Sequence, residues 1–308
     1  MTLAVFCSGQ GFQHLPMAAI VAGAPEAGSL FARAADLLDG TDPRTLARDA
    51  PQRATMNRVG QVLCCTHALA AWTLIAPKIP PGTIIAGYSI GDLAAWGCAG
   101  RLAPADVLEL ALARAELMDA YAGPDGGLAG IRGLGREQVG RLIGPRGLEL
   151  AIVNGPDNVV VGGDRAALAE LCEAAIANGA ERAVVLDVRI PSHTSVLRPA
   201  ACRFRERLDR VPLLDPPTSA PRLLSGLDGA PVGAGVEGLD KLARQIATTI
   251  DWAACLRTCR ALKVTKLLEL GPGHALSTIA KWSLVDVDVH RLEDFRTIAG
   301  LRSWIVRP

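Results

Sequence analysis

Thr83-Ile84-Ile85-Ala86-Gly87-Tyr88-Ser89-Ile90-Gly91-Asp92-Leu93-Ala94-Ala95-Trp96 is the stretch that decides how this chain is read. The apolar run Thr83 to Ala86 predicts a buried strand, and Asp92 to Trp96 reads as a helix. Between them stands Gly-x-Ser-x-Gly, the pattern of a nucleophile elbow. Its glycines remove the side chains that would clash in a sharp strand-to-helix turn. The serine hydroxyl then stands above the sheet edge at a helix N-terminus, where backbone N–H groups can hold an oxyanion. The bland alternative is an ordinary glycine-rich turn.

Outward from the elbow, short apolar runs alternate with helical patterns. Leu3 to Cys7 predicts a strand, Arg58 to Ile75 a long apolar helix and Ala105 to Ala122 another helix. Such alternation argues for a parallel sheet covered by helices. After the joint Gly123-Pro124-Asp125-Gly126-Gly127 the texture changes. Strands at Leu128–Ile131, Leu148–Val153, Asn158–Val161 and Arg182–Val188, with helices at Arg136–Ile143 and Arg165–Asn178, follow the order β-α-β-β-α-β of a ferredoxin-like subdomain. Helices at Leu197–Leu208 and Leu239–Ile250 and a strand at Lys266–Leu270 then resume the first unit. The fold class expected is α/β: a larger α/β-hydrolase-like parallel-sheet domain over 1–122 and 190–308, with a ferredoxin-like subdomain inserted at 123–189. A ligand site is expected in the cleft between the two lobes.

Composition narrows the partners. With 308 residues and 50% hydrophobic content the chain can bury a sizeable core, and 32 Lys plus Arg against 31 Asp plus Glu leave no whole-chain field for nucleic acid or an anionic membrane. The N-terminus lacks a basic leader region, and no apolar stretch reads as approaching the ~20 residues of a membrane span, so the cytoplasm is the expected compartment. The eight cysteines form no Cys-x-x-Cys pair or zinc-spaced cluster. Buried free thiols are expected and no metal, with Cys255 and Cys259, four apart on a helix, the one weak alternative.

A serine hydroxyl needs a base. Among the five histidines His193 is the candidate, because Ile190-Pro191-Ser192-His193-Thr194-Ser195 lies where the inserted lobe hands back to the larger one. Its alternative is a turn-capping histidine. His67 reads as a core residue, His14 and His274 as pocket-lining, and His290 as surface near a strand end. Arg114 falls within the apolar stripe Val107, Leu110, Ala111, Met118 and Tyr121 of its helix. A guanidinium directed inward must find an anion, either an internal carboxylate or one carried by a substrate and held bidentately.

Taken together, these segments resemble the malonyl-coenzyme A:acyl carrier protein transacylases over essentially the whole length. The motifs are Gly9-Gln10-Gly11-Phe12-Gln13, Gly87-Tyr88-Ser89-Ile90-Gly91-Asp92, Arg114 with Met118, Asn154-Gly155-Pro156 to Gly163, Pro191-Ser192-His193, Gln245, and Glu269 to Gly273. The resemblance implies that Ser89 is the nucleophile and His193 the base. It implies an oxyanion hole from the backbone N–H groups of Gln10 and Ile90, and substrate-binding roles for Arg114, Met118, Gln245 and Asn154. Arg114 would hold the malonyl carboxylate, and Gln245 would orient the histidine through its backbone carbonyl. It implies no permanently bound cofactor, malonyl-CoA as donor, and the thiol arm of an acyl carrier protein as acceptor.

The chain also departs from the family pattern: Tyr88 stands for the usual His, Asp92 for Glu, and Ser8 and Phe12 for a Pro and a small residue. With the tail from Leu292 to Trp304 these look most like the epsilon subunit of malonate decarboxylase, which would make that enzyme's carrier subunit the partner. The alternatives are a transacylase of fatty-acid or polyketide synthesis, a serine hydrolase or thioesterase, and a non-catalytic carrier-docking subunit.

Overall fold

A computed structural model of the chain describes residues 2–11, 13–233 and 235–307. β1 (Leu3–Cys7) is buried along its whole length. The period-two alternation of a strand divides its side chains between two cores, Leu3, Val5 and Cys7 facing one and Ala4 and Phe6 the other. Helix α1 (Gly28–Leu37) and the single turns α2 (Leu46–Asp49) and α3 (Pro51–Ala54) lead to α4 (Asn57–Ile75). β2 (Ile84–Gly87) passes through the elbow into α5 (Ile90–Cys98), followed by α6 (Pro104–Tyr121). Next come β3 (Gly126–Arg132), α7 (Arg136–Ile143), β4 (Glu149–Gly155), β5 (Asn158–Asp164), α8 (Arg165–Ala177) and β6 (Arg182–Val185). α9 (Arg198–Leu208), β7 (Arg222–Leu223), α10 (Val236–Arg244), β8 (Ile250–Asp251), α11 (Trp252–Ala261), β9 (Lys266–Leu270), α12 (Ala275–Ser283), β10 (Asp288–Arg291) and α13 (Ile298–Val306) follow.

The first sheet runs β10-β9-β1-β2-β7 with every neighbouring pair parallel. This is the α/β layer expected from the alternation of strands and helices. The second sheet runs β6-β3-β5-β4-β8. Its first three pairings are antiparallel, and α7 and α8 cover one face around Val139, Leu168 and Leu171. The last pairing, β4 with β8, is parallel and recruits Ile250 and Asp251 from far along the chain. The second sheet is therefore not made by residues 123–189 alone, a feature that two residues without periodicity do not announce.

Two expectations need correction. The stretch Asn57–Lys78, 22 residues, is long and apolar enough to cross a membrane, contrary to the reading that no segment approaches that length. Its apolar surface has a different use here, because 83% of its most apolar window is buried inside the molecule, where α4 packs against α5 and α6 as a core helix. The helix expected at Leu239–Ile250 lies instead at Val236–Arg244. The apolar pattern continues past Arg244, but the chain leaves the helix at Gln245 and carries Ile250 into the second sheet.

Candidate active site

The glycines of the elbow are there for close approach. A Cβ on Gly87 would collide with the backbone of Gly91 and Asp92, and one on Gly91 with the carbonyls of Cys7 and Ser8. Ser89 takes φ 56°, ψ −119°, a strained conformation for a residue with a side chain, at the N-terminus of α5. Its hydroxyl makes no cap bond to that helix. It faces two other groups: His193 Nε2 at 2.9 Å and Arg114 Nη2 at 3.4 Å.

His193 also has a positive φ, 64°, and is 2% exposed. The loop that holds it is fastened from both sides. Thr194 Oγ1 donates to the Pro191 carbonyl at 2.6 Å, the Ser195 N–H donates to Glu149 of β4 at 3.0 Å, and the His193 N–H donates to the Ile246 carbonyl at 2.8 Å. His193 Nδ1 donates to the Gln245 carbonyl. A carbonyl can only accept, so the ring proton sits on Nδ1 and the Nε2 lone pair faces the Ser89 hydroxyl. Burial pushes this imidazole down to about 3, and the Arg114 charge acts in the same direction against the Gln245 bond. The ring is therefore neutral at physiological pH.

Gln245 is fully buried, and its side-chain amide donates to Asp92 Oδ2 at 2.9 Å. This bond points the amide into the core while the carbonyl meets the histidine, and Gln245 is not among the residues lining the cavity. Asp92 also accepts from the Gly226 N–H at 3.1 Å, and burial lifts its carboxyl to about 7.

Arg114 is 2% exposed, and among the described residues no carboxylate lies within 4.0 Å of its guanidinium. Its one close partner besides Ser89 is the Gln61 carbonyl oxygen, 2.7 Å from Nη1. Burial lowers its pKa to about 10, still far above neutrality. Gln61 in turn donates to Asn57 Oδ1 at 2.8 Å and to the Met118 sulfur at 3.5 Å. Met118 does not line the cavity as expected. It is 1% exposed and backs Gln61 from the core. Tyr121, assigned to the same apolar stripe, is 40% exposed, because α6 ends there and its last turn leaves the core.

A cavity of 230 Å³ opens over Ser89 and His193 between the two sheets, with Gln10, Tyr88, Asn154, Leu128, Ile152 and Val160 among its walls. Tyr88 Oη donates to Asn154 Oδ1 at 3.1 Å and its ring packs edge-on against Trp252. The backbone N–H groups of Gln10 and Ile90 donate no hydrogen bond among the described residues. Glu269 closes the floor: fully buried, it accepts from Ser8 Oγ at 2.9 Å and from the N–H groups of Leu276 and Ser277 at 3.1 and 2.8 Å. Phe12 lies outside the described residues.

Of the other histidines, His67 is buried with Nδ1 donating to the Leu63 carbonyl at 3.0 Å, and burial pushes it down to about 4. His14 meets Glu293 at 3.1 Å, and neither His14 nor His274 is among the residues lining the cavity. His290 lies on β10, between Asp288 and Asp294. Cys255 and Cys259 are buried thiols whose pKa burial raises. Cys202 is the exposed thiol of the eight.

Gln61 was missed by the reading of the sequence. Its signal was present, a lone amide in the apolar run Val59 to Cys65, since a buried amide requires a partner. Asp92 was noted only as a departure from a motif, and its bond to Gln245 spans 153 residues.

The acyl transferase domain family matches residues 67–221. The malonyl CoA-acyl carrier protein transacylase of Mycobacterium bovis is 30% identical over 290 residues, covering 92% of this chain and 93% of that protein. The solved acyl-carrier-protein S-malonyltransferase of Burkholderia pseudomallei matches with a TM-score of 0.89 at 28% identity, over 98% of this chain and 100% of that one. A malonyl-transacylase solved in complex with its type II polyketide-synthase acyl-carrier protein gives a TM-score of 0.89 at 26% identity, over 98% and 99% of the two chains. On the family match and these likenesses, with the serine, histidine and arginine brought together as described, the chain belongs to the malonyl-CoA:acyl carrier protein S-malonyltransferases of the acyl transferase family.

Proposed function

We propose that Ser89 carries malonyl from malonyl-CoA to the thiol of an acyl carrier protein by double displacement. The observation that supports this best is the Ser89 hydroxyl set 2.9 Å from a neutral imidazole nitrogen and 3.4 Å from a buried guanidinium. In the first half-reaction His193 Nε2 takes the hydroxyl proton as Ser89 Oγ bonds to the thioester carbonyl carbon. The oxyanion is received by the N–H groups of Gln10 and Ile90. Collapse breaks the carbon–sulfur bond, and the imidazolium returns its proton to the departing thiolate. The second half-reaction is the reverse, with the carrier thiol as nucleophile and Ser89 as leaving group. Arg114, with Gln61 fixing one edge, pairs with the free carboxylate of the malonyl group. Asn154 and Tyr88 form the polar part of the acyl pocket wall. No step calls on a resident cofactor or metal.

The strand order β6-β3-β5-β4, with two helices on one face, supports reading residues 123–189 as an inserted ferredoxin-like subdomain whose job is to wall the cleft. The acceptor we assign is a carrier of fatty-acid or polyketide type. The similar transacylase solved with its type II polyketide carrier supports this over the malonate decarboxylase carrier. The tail from Leu292 to Trp304 has structural employment: Arg302 donates to the Leu74 carbonyl at 2.8 Å, and Trp304 Nε1 donates to Asp288 at 2.7 Å. Tyr88 is then the marker at the site that still favours the decarboxylase subunit.

Brief exposure to malonyl-CoA followed by mass spectrometry of the intact protein tests the reading. One added malonyl group on the wild type and none on Ser89→Ala are expected; a label surviving in the variant would refute the nucleophile. Offering the malonyl-enzyme a fatty-acid-type and a decarboxylase carrier side by side tests the acceptor, and a higher kcat/KM on the decarboxylase carrier would overturn that assignment alone.

A further inference from the structure

A second cavity of 280 Å³ adjoins the catalytic one and shares two of its walls, Asn154 and Ile279. One side is the turn between β4 and β5, pinned where the Gly133 N–H donates to the Asp157 carbonyl at 2.8 Å. The other side is α12, and at its rim Trp282 of α12 meets Arg132 of β3, with the guanidinium carbon 4.4 Å from the ring centroid. This stack joins the two sheet units across the mouth of the cleft.

Trp282 is the exposed member of the five tryptophans, at 65%. At the rim of the cavity, with one face stacked by Arg132, the indole offers its other face to a flat ring. Arg132 is held in place rather than consumed. Its Nε donates to Glu181 at 3.0 Å and its Nη2 pairs with the same carboxylate at 3.0 Å, while Nη1 donates no hydrogen bond among the described residues. An aromatic face with a fixed guanidinium at its edge suits a ligand that carries a flat heteroaromatic ring and an anion together. Lys281 adds a second cation next along α12.

The donor assigned above has that chemistry at the end remote from its thioester, a purine and phosphates. We infer that the second cavity seats the nucleotide end of coenzyme A, with the purine on the open face of Trp282 and phosphate at Arg132. This rests on the reading of the site as a malonyl-CoA transferase. The acceptor arm carries a phosphate but no purine, so the contact with Trp282 belongs to the donor half-reaction alone, and release of coenzyme A frees the mouth for the carrier.

The test compares malonyl-CoA with malonyl-pantetheine, the same thioester without the nucleotide, on the full chain. Trp282→Ala is expected to raise KM for malonyl-CoA roughly fivefold or more, in keeping with the loss of a base stacked on an aromatic ring, with kcat held. KM for malonyl-pantetheine and the rate of malonyl transfer to a carrier protein should stay within about twofold of wild type, and Trp282→Phe should restore most of the loss. Wild-type turnover of malonyl-pantetheine by the variant also shows that it folds. Equal losses on the two thioesters, or a loss confined to the carrier step, would overturn the inference while leaving the acyl transfer intact. A wild type acylated by neither thioester would remove the underlying reading and the inference with it.

Discussion

Asp92 Oδ2 accepts a hydrogen bond from Gln245 Nε2 at 2.9 Å, and through that bond the helix that follows Ser89 fixes the carbonyl that accepts from His193. Asp92 sits three residues after Ser89, so serine and histidine are tied to one turn of chain although 104 positions separate them. Asp92→Ala should therefore lower kcat by roughly tenfold to a hundredfold with little change in KM, the cost of leaving buried partners unpaired being about 1–3 kcal/mol. Asp92→Asn keeps an acceptor oxygen and should recover much of the rate. If both variants lose KM and kcat together, Asp92 serves the packing of the site and not the alignment of His193.

His193→Ala should lose roughly 10²–10⁴ in the rate of both half-reactions, because on the proposed mechanism the same nitrogen takes the proton of Ser89 and later that of the carrier thiol. Stopped-flow release of coenzyme A reports the first step, and carrier acylation the second. A near-normal rate in either would assign that step to another base.

Arg114 should discriminate between acyl groups. Removing one partner of a buried charge pair typically costs about 3–5 kcal/mol, so Arg114→Ala should fall steeply in kcat/KM on malonyl-CoA and far less on acetyl-CoA. Gln61→Leu, which removes the oxygen 2.7 Å from Nη1, should move selectivity the same way by a smaller step. Equal losses on both thioesters would mean that the guanidinium is structural.

Acid should destabilise the fold through its buried histidines. Burial pushes His67 down to about 4 and His193 down to about 3, whereas each takes up a proton near pH ~6.5 once unfolded. The unfolded chain thus binds more protons over that window, so their contribution is complete above pH ~6.5 and is lost as pH falls toward the folded values. Asp92 opposes them, since burial lifts it to about 7 and its folded form is protonated where the unfolded chain is not. Glu269 and Asp119, whose carboxyls burial also raises, act in the same sense as Asp92, so the contribution of one histidine is isolated by its own substitution. His67→Leu should flatten the fall in urea-unfolding free energy between pH ~6.5 and ~4.5 by up to about 1.4 kcal/mol per pH unit, the value of one proton. An unchanged slope would show that His67 is not held neutral.

What the sequence disclosed of all this followed the strength of local signals. The elbow was legible because two glycines, a serine and a following helix are fixed by sterics within six positions. Arg136–Ile143 and Lys266–Leu270 were legible from periodicity, and their ends coincide with the observed elements. β7 and β8 were not, since two residues carry no period and their place depends on strands far away. Arg114 stood out as a charge in an apolar stripe, whereas Gln61, a neutral amide, did not. The Asp92–Gln245 bond is a long-range contact between side chains, and such contacts leave no trace in local pattern. Ser89, His193 as candidate base and an anion for Arg114 were read from the residues, the remaining roles and the malonyl chemistry from resemblance, and the arrangement of the groups from the fold.

The pairing of β8 with β4 has a mechanical consequence. Ile152 and Val153 of the second sheet are laddered to Ile250 and Asp251, and Asp251 opens the helix whose Trp252 packs against Phe6 in the first. A hinge between the two sheets would have to break either this backbone pairing or the aromatic contact, so the connection resists widening of the gap above Ser89. A site that resists gaping is best served by slender visitors. Both thiols that it exchanges have to arrive at the end of a long, thin tether, and anything as broad as a folded domain must remain outside.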